Sequence, residues 1–476
     1  MQEHVGVAAS EPRSGRDRAL HGIPALGDLV LTDPLAEAVA CAVLCPVLLA
    51  AAIWNGFPII FYDTGAYLLE GLGRVFLAER SPVYSLFLRY AGAGASLWLV
   101  ALLQAAMTAF VMVQTARAVA PKLGLWPLLG IAAGLVLLTG LPWYVGEIEP
   151  DCFTALVILS LFLLAFHEET LVGVRRAIVI AIAVLAIGAH PSDVLLGGGL
   201  VLALLAYRGA VFLAHGTGWP RAAALRPFLC CVLGLCLVVA SNFNLTGKLF
   251  VSRAGPAFVF ARMLQDGIVM RLLDDTCPQS HYRLCGYKDV LPRTADQWLW
   301  GRDSPFFKMD RFTGTSAEST RIIWDSLKRY PVFQAETALA DAARQFTTFR
   351  TGDQIEPQEW ILSRPLAQFI PGQMRAYLGA RQQEGEIDFR PINRVHVSLG
   401  WFALAGLAIA IVLALVRRRR RDAVLLVFVL VALIGNAVIC GALSNPHDRY
   451  QSRLLWLVPF ALVLIEAKRP HFALRG

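Results

Sequence analysis

Residues 36–67 of the chain read AEAVACAVLCPVLLAAAIWNGFPIIFYDTGAY. Residues 36–54 are almost wholly apolar, and such a run is close to the ~20 residues that an α-helix needs to cross a bilayer. Aromatic and turn-forming residues follow, and they surround one carboxylate, Asp63. An ionisable group held against a bilayer surface is expensive, so it is a functional candidate. The stretch therefore predicts a membrane helix that ends in a functional loop.

Similar apolar runs recur along the whole chain. Of its 476 residues, 56% are hydrophobic and only 16% are charged, with a mean hydropathy of +0.56, whereas soluble domains carry about 25% charged residues. The pattern predicts an all-α polytopic membrane protein with about ten transmembrane helices. The predicted spans are 36–54, 96–116, 124–142, 152–167, 176–190, 192–208, 226–244, 396–416, 422–441 and 452–467.

Basic residues collect in alternate connections between these spans. The clearest case is the unbroken run Arg417–Arg421. Because cytoplasmic loops carry the excess of Lys and Arg, both termini are expected in the cytoplasm of a bacterial cell with the protein in its inner membrane. The polar N-terminus, with arginines before any apolar run, does not fit a cleavable signal peptide, so the first span is expected to stay as an anchor. The resulting division is a tail at 1–35, spans 1–7 within 36–244, an extracytoplasmic domain at 245–395, and spans 8–10 within 396–476.

The insert 245–395 has the composition of a folded domain. It is rich in Trp and of mixed polarity, and Ser316–Tyr330 and Glu336–Phe349 have helical periodicity. Cys277 and Cys285 lie in this outward, oxidising region, where paired cysteines usually cross-link, so we predict a disulfide between them. The other seven cysteines lie in or beside apolar segments, where Cys behaves as a small hydrophobe.

One predicted span is short. Residues 177–189 are apolar, His190-Pro191-Ser192-Asp193 follows, and a second apolar run begins at once. The backbone of so tight a hairpin must be satisfied within protein or in a water-filled cavity. We expect a recess that opens on the outer face.

Polar residues of three segments converge on that same face. Carboxylates at a membrane boundary can accept a proton from a hydroxyl group, and arginines there can bind a phosphate through their planar fork. The segments predict a site for a lipid-borne phosphate and a hydroxyl-bearing acceptor. The catalytic candidates are Asp63, Glu147, Glu149 and Asp151, and the substrate-binding candidates are Arg80, Tyr84, His190, Arg449, Tyr450 and Arg453.

Each candidate has a purely structural alternative. Asp63 could cap the helix that runs into Tyr67. The acidic residues 147–151 could be solvated charges near a helix N-terminus, Arg449 and Arg453 could be interface residues with their charged ends in water, and His190 could be a satisfied turn residue.

Other kinds of site have no support in the sequence. HExxH, Walker A, a GxGxxG loop in a strand context and Cys/His metal spacing are all missing, so we expect neither a metal nor another cofactor. The net charge of +8 is concentrated in a run without interleaved aromatic residues, which argues against nucleic acid as a partner.

Several short motifs, taken in order, resemble the GT-C glycosyltransferases, integral-membrane enzymes that use polyprenyl-phosphate sugars. They are the Asp63 loop, Arg80-Ser81-Pro82-Val83-Tyr84, Gln104 in the next span, Glu149-Pro150-Asp151, the His190 turn and Arg449-Tyr450. The resemblance covers about 36–244 and 396–467. It implies an inverting transfer with Asp63 as base, acidic residues that help at the acceptor, and closing arginines near the donor phosphate. The expected partners are the lipid bilayer, a polyprenyl-phosphate-linked sugar and an acceptor not yet defined.

The chain departs from the family in two respects. It lacks the paired acidic motif of the metal-dependent members, and its 150-residue insert does not match a characterised subfamily, which leaves the acceptor open.

Two other functions fit the same composition. An O-antigen-type polymerase or ligase would also have many spans and a large outward loop, but a basic one, whereas the charge of this insert is nearly balanced. A transporter would place polar residues near the bilayer midplane, whereas here the ionisable residues cluster at one boundary. The sequence therefore favours a membrane glycosyltransferase.

Overall fold

Helices form almost all of the regular structure. The computed structural model describes residues 31–215 and 221–469, so the predicted tail at 1–35 lies almost wholly outside the described residues. Within them, strand pairing is limited to one isolated bridge between Ile59 and Glu147. The helices are α1 Pro34–Leu48, α2 Ala50–Asn55, α3 Thr64–Gly71, α4 Pro82–Tyr90, α5 Leu97–Val119, α6 Leu125–Leu138, α7 Leu141–Val145, α8 Asp151–Phe166, α9 Val174–Ala189, α10 Pro191–His215, α11 Arg221–Thr246, α12 Gly255–Gln265, α13 Ile268–Thr276, α14 Ala295–Trp300, α15 Pro305–Lys308, α16 Arg311–Arg329, α17 Pro331–Thr347, α18 Glu359–Phe369, α19 Met374–Leu378, α20 Phe389–Val416, α21 Arg420–Ala442, α22 Asp448–Leu455 and α23 Leu457–Ala467, with 3-10 turns at Glu168–Thr170, Arg283–Val290 and Pro371–Gln373.

Six helical segments among the described residues are long and apolar enough to cross a membrane: α5, α10, α11, α20, α21 and the continuous α22–α23. Three shorter helices, α1, α6 and α8, are also apolar. Large apolar side chains such as Leu213, Phe402 and Val416 lie exposed on the long helices, as lipid-facing residues do. The chain is an all-helical membrane protein, and a helix occupies each of the ten ranges predicted from the sequence.

Helix α8 lies at the centre of the bundle. Its residues from Asp151 to Ala165 are buried on every side, as expected for a helix that is apolar all round. It contacts α5, α9, α10, α11 and α22. The charged residue that begins this central helix, Asp151, is thereby placed among the ends of several neighbouring helices.

The helix ends gather at two opposite ends of the bundle. At one end Glu37 of α1 pairs with Arg175 of α9 at 2.8 Å and with Arg117 of α5 at 3.6 Å. At the other, Asp151 of α8 pairs with Arg453 of α22 at 2.6 Å. We call the second the site end and the first the opposite end.

Local signals in the sequence account for where helices begin and end. Asp33 accepts a hydrogen bond from the Leu35 backbone N–H at 2.7 Å and caps α1, whose first residue is a proline. Asp388 caps α20 in the same way. Gly56 ends α2 with φ of +82°, a conformation that favours glycine. The Asp63 loop therefore starts at a fixed point.

The insert divides between two cores. Residues of α12–α16 form a separate apolar cluster around Trp298 and Phe306, whereas α18 and α19 pack into the core of the membrane helices. Helix α17 crosses α21 closely: a side chain at Gly441 would meet the Asp341 carbonyl oxygen at 2.5 Å. The two helices predicted within the insert are confirmed as parts of α16 and α17.

The predicted cysteine chemistry is also confirmed. Cys277 and Cys285 form a disulfide with their Cα atoms 5.7 Å apart. The seven remaining cysteines are free thiols in the apolar helices.

Candidate functional site

Two loops are joined side by side at the site end. The Ile59 backbone N–H donates to Gly146 O and the Ile148 N–H donates to Ile59 O, both at 2.9 Å. The Thr64 hydroxyl donates to Ile148 O at 3.0 Å. These bonds hold the loop of Asp63 against the acidic loop 146–150, as the sequence predicted for residues that share one face.

A glutamine from the insert fixes the same loop from its other side. Gln382 accepts a hydrogen bond from Ile60 N–H at 3.0 Å and donates to Ile60 O at 2.6 Å. The backbone N–H of Gln382 donates to Asn55 Oδ1 at 2.8 Å. The sequence contains no local signal for a partner more than three hundred residues away, so this anchor was missed.

Asp63 forms an ion pair with Arg80. It is the residue before α3, but its side chain makes no capping hydrogen bond, so the capping alternative does not describe the structure. The two side chains are 19% and 12% exposed. The Arg80 guanidinium lies over the rings of Tyr67 and Trp300, 5.8 and 5.9 Å from their centroids. Asp63 is thus oriented towards the site and remains reachable from solvent.

A second ionic cluster lies where α8 and α22 begin. Arg453 donates to Asp151 at 2.6 Å and is completely buried. Arg449 lies 3.9 Å from the other oxygen of Asp151, and its guanidinium stacks on Phe61 at 4.0 Å. These arginines do not extend into water, so the interface alternative fails for both. Phe61 links this cluster to the Asp63 loop.

Glu147 and Glu149 are enclosed, and neither forms an ion pair with another described residue. Each is 1% exposed, and Glu147 Oε2 and Glu149 Oε1 are sealed from solvent without a hydrogen bond from any described residue. Burial raises the pKa of both well above the usual range, with repulsion from Asp151 at Glu147 and from Asp63 at Glu149. They are therefore not solvated loop charges.

Tyr84 lies behind the site and not on its surface. It is completely buried, and its hydroxyl donates to Gln104 Oε1 at 2.8 Å. Gln104 in turn donates to the Val145 and Glu147 carbonyls at 3.1 and 2.7 Å. Tyr84, predicted to contact substrate, therefore holds the acidic loop in position.

Two further candidates flank the arginines. His190 Nδ1 bonds to the Ser192 hydroxyl at 2.6 Å and to its backbone N–H at 3.2 Å, which is the satisfied turn of the structural alternative. Ser192 also lies 3.4 Å from Arg453, so the short hairpin does reach the site. The Tyr450 ring lies 5.0 Å from the Arg449 guanidinium and is partly exposed.

Helix α3 is fixed to its surroundings by a buried carboxylate, Glu70. It accepts hydrogen bonds from the Ser85 hydroxyl at 2.6 Å and from the Leu77 backbone at 3.1 Å. Burial raises the pKa of Glu70 to about 7, although these two bonds oppose the shift. Glu70 thus supports the helix that follows Asp63.

The insert supplies residues that sequence reasoning missed. Asp353 lies 3.5 Å from His447 and accepts from the Arg449 backbone at 3.4 Å. Burial lowers the pKa of His447, but hydrogen bonds to Asp296 and Asp353 outweigh it and raise the value to about 9. Together with Trp300, these side chains bring the insert to the edge of the site. Their only sequence signal was the Trp-rich composition of the insert.

Several site atoms retain unused bonding capacity. Arg80 Nε, Arg449 Nη1 and Asp151 Oδ2 are buried and make no hydrogen bond to a described residue. Buried polar groups are normally paired, so these three unpaired atoms are candidates for contact with a ligand or water. No group of three His, Cys, Asp or Glu side chains in the described ranges is arranged to hold a metal ion.

Comparisons of the chain with protein-family models, curated proteins and solved structures find no match.

Proposed function

We propose that the protein is a membrane glycosyltransferase of the GT-C type, with about ten spans. It transfers a sugar from a polyprenyl-phosphate donor to a lipid, glycan or protein acceptor on the extracytoplasmic face. The observation that carries the proposal is the orientation of Asp63. This carboxylate leaves the helix it could cap and pairs with Arg80, within one cluster of carboxylates and arginines at a single end of the bundle.

Asp63 acts as the base in this proposal. The acceptor oxygen forms a bond to the anomeric carbon while the bond from that carbon to the phosphate oxygen breaks. The acceptor proton passes to the Asp63 carboxylate, and polyprenyl phosphate leaves. A base must lie within hydrogen-bond reach of the proton it removes, and of the four catalytic candidates from the sequence Asp63 is the one that is both ion-paired and partly exposed.

Arg449 binds the phosphate of the donor. One of its terminal nitrogens, Nη1, is buried without a hydrogen bond to a described residue. Its stacking on Phe61 and its proximity to Asp151 fix the plane of the guanidinium. A fixed guanidinium plane suits bidentate recognition of a phosphate.

The remaining candidates have other roles. Arg453 is too enclosed to touch a substrate, so we assign it the positioning of Asp151, which holds Arg449. Glu147 and Glu149 are enclosed as well, so we assign them to the structure of the acidic loop beside Asp63 and Asp151. Tyr84 and Gln104 hold the backbone of the acidic loop.

The placement of charge also bears on the alternatives. The ion pairs between the bundle helices lie at their ends, as with Glu37 at the opposite end and Asp151 at the site end. A transporter needs polar groups near the midplane, so this arrangement favours chemistry at an interface. No observation specifically favours a polymerase or ligase.

The proposed topology places the site end outside the cell. The basic connections, including Arg417–Arg421, belong to the opposite end, and the disulfide of the insert suits an oxidising compartment. Reporter fusions at Thr170 and Asp422 should report cytoplasm, and a fusion at Gly301 the outside. A cytoplasmic Gly301 would place the carboxylates in the wrong compartment and overturn the proposal.

The activity test uses purified protein in nanodiscs with polyprenyl-phosphate sugars that carry a radiolabel. Deletion of the gene and analysis of cell glycolipids identifies the sugar and acceptor to supply. We expect label transfer with release of polyprenyl phosphate. The proposed function is wrong if the purified protein, supplied with polyprenyl-phosphate sugars, does not form the glycolipid whose amount differs in the deletion strain.

A further inference from the structure

A cleft lies at the opposite end of the bundle, remote from the site. Its volume is about 60 Å³, which is enough for several water-sized groups. Helices α20, α21 and α23 form its walls. Arg417 and Arg419 line it together with Asp422, Glu466 and Arg469 and with apolar residues that include Leu413 and Leu462.

A tight connection holds the two arginines at the cleft. Helix α20 ends at Val416 and α21 begins at Arg420. Arg418 turns the chain with φ of +55°, and the Arg419 backbone N–H donates to Ala414 O at 2.7 Å. Residues 417 and 419, on either side of this turn, both line the cleft.

The acidic residues of the cleft are already paired. Asp422 binds Lys468 at 2.6 Å and Glu466 binds Arg469 at 2.5 Å. Neither Arg417 nor Arg419 forms an ion pair with any acidic residue within 31–215 or 221–469. The cleft therefore presents two guanidinium groups that lack a counter-ion among the residues that the structure describes.

The cleft is also at a membrane boundary, whichever end faces the cytoplasm. Both α20 and α21 are among the helices able to span a membrane, and the arginines join them. Apolar residues such as Leu413 are exposed beside the arginines. A lipid bound there can place its phosphate at the arginines and its chains along the helices.

We infer that Arg417 and Arg419 form a binding site for an anionic phospholipid. Guanidinium groups recognise phosphate oxygens through planar, bidentate hydrogen bonds, and basic pockets between membrane helices bind anionic headgroups. The alternative explanation of the five-Arg run is that it sets the orientation of the protein in the membrane. For that role each arginine of the run would be equivalent. A lipid-binding site, by contrast, depends on Arg417 and Arg419, the two arginines that line the cleft.

Native mass spectrometry of the full-length protein with phosphatidylglycerol or phosphatidylcholine tests the inference. Arg417→Gln/Arg419→Gln should bind phosphatidylglycerol about thirtyfold more weakly, because each hydrogen-bonded guanidinium lost from the headgroup phosphate should lower affinity about fivefold. Arg420→Gln/Arg421→Gln is the matched control: it removes the same charge from the same run, outside the cleft, and should bind nearly as the wild type does.

The inference would be overturned by equal loss in both double variants, by no loss in the first, or by complete displacement of the lipid by millimolar inorganic phosphate. If Arg417→Gln/Arg419→Gln fails to insert, Arg417→Lys/Arg419→Lys keeps the charge and removes the fork. Its affinity should fall between those of the wild type and the Gln variant. Unchanged affinity in this Lys variant would also count against the site.

Discussion

Replacing Asp63 with Asn tests the proposed base directly. Asn keeps the shape of the side chain and can still hydrogen-bond to Arg80, but it cannot accept the acceptor proton. Loss of a general base typically lowers the rate about 10²–10⁴-fold, which corresponds to about 2.7–5.5 kcal/mol in activation free energy. We expect sugar transfer in nanodiscs to fall at least a hundredfold at saturating donor.

The ion pair complicates this test, because Asp63→Asn also leaves Arg80 without its counter-ion. The pair is mostly enclosed but partly exposed, so the variant should lose about 1–3 kcal/mol of stability, between the values for surface and buried pairs. Glu37→Gln is the matched control. Glu37 pairs with Arg175 at 2.8 Å and is similarly enclosed, but it lies at the opposite end.

The two variants should shift the midpoint of thermal unfolding by similar amounts, yet only Asp63→Asn should abolish transfer. Activity is measured well below both midpoints, with the folded fraction checked by size-exclusion chromatography. A folded Asp63→Asn protein that transfers sugar as fast as Glu37→Gln would remove Asp63 from the mechanism.

Three further predictions follow from neighbouring structure. The pKa of Glu70 is raised to about 7 in the folded protein, so its contribution to stability should be complete below about pH 4.5 and should be lost as the pH rises through 7. In Glu70→Gln the midpoint of thermal unfolding should therefore depend less on pH across this range. The same pH dependence in the variant and the wild type would contradict the role of Glu70. Reduction of the Cys277–Cys285 disulfide should lower the free energy of unfolding by at most about 3 kcal/mol. If both cysteines can be alkylated in denatured protein that has not been reduced, the disulfide does not exist. The exposed Trp300 ring beside Arg80 could stack on the acceptor, in which case Trp300→Ala should raise the acceptor KM about tenfold. Trp324→Ala removes an exposed Trp that has no ring contact with Arg80, and it should leave KM unchanged. Equal effects of the two substitutions would argue against contact between Trp300 and the acceptor.

The helices could be predicted because a bilayer imposes a simple rule on sequence. Every backbone polar group in hydrocarbon must be satisfied within its own helix, so apolar runs of sufficient length mark helices directly. Even the short apolar run at 177–189 forms a helix, α9, and α10 begins at Pro191, one residue beyond His190. Length and composition did not indicate which helix is central, because α6, which is largely exposed, is at least as apolar as α8.

The candidate site was predictable where its residues lie at helix ends. Asp63, Asp151 and Arg449 each flank an apolar run, and alternation of direction placed them at one end. Contacts that depend on the insert could not be predicted. Gln382 and Trp300 approach the site through tertiary folding of residues 245–395, and a single sequence carries no record of such contacts.

Tyr84 and Arg453 show a different limit. Both were predicted to bind substrate because their residue types suit a sugar or a phosphate, yet both are completely buried. Chemistry inferred from residue type does not separate a side chain that touches a ligand from one that holds its neighbour. Burial makes that distinction, and it assigns both residues to positioning.

The ion pairs and the exposure of the four site carboxylates support different roles for them. Asp151 is 1% exposed and paired with Arg453 at 2.6 Å, so it is less accessible to the acceptor proton than Asp63 is. Burial raises the pKa of Glu147 and Glu149, and both are almost wholly enclosed, so neither is placed to take a proton from an acceptor that enters from solvent. Asp63 alone among the four combines an ionic partner with access from solvent. Electrostatics and exposure thus favour the same residue as base that the order of motifs in the sequence had favoured.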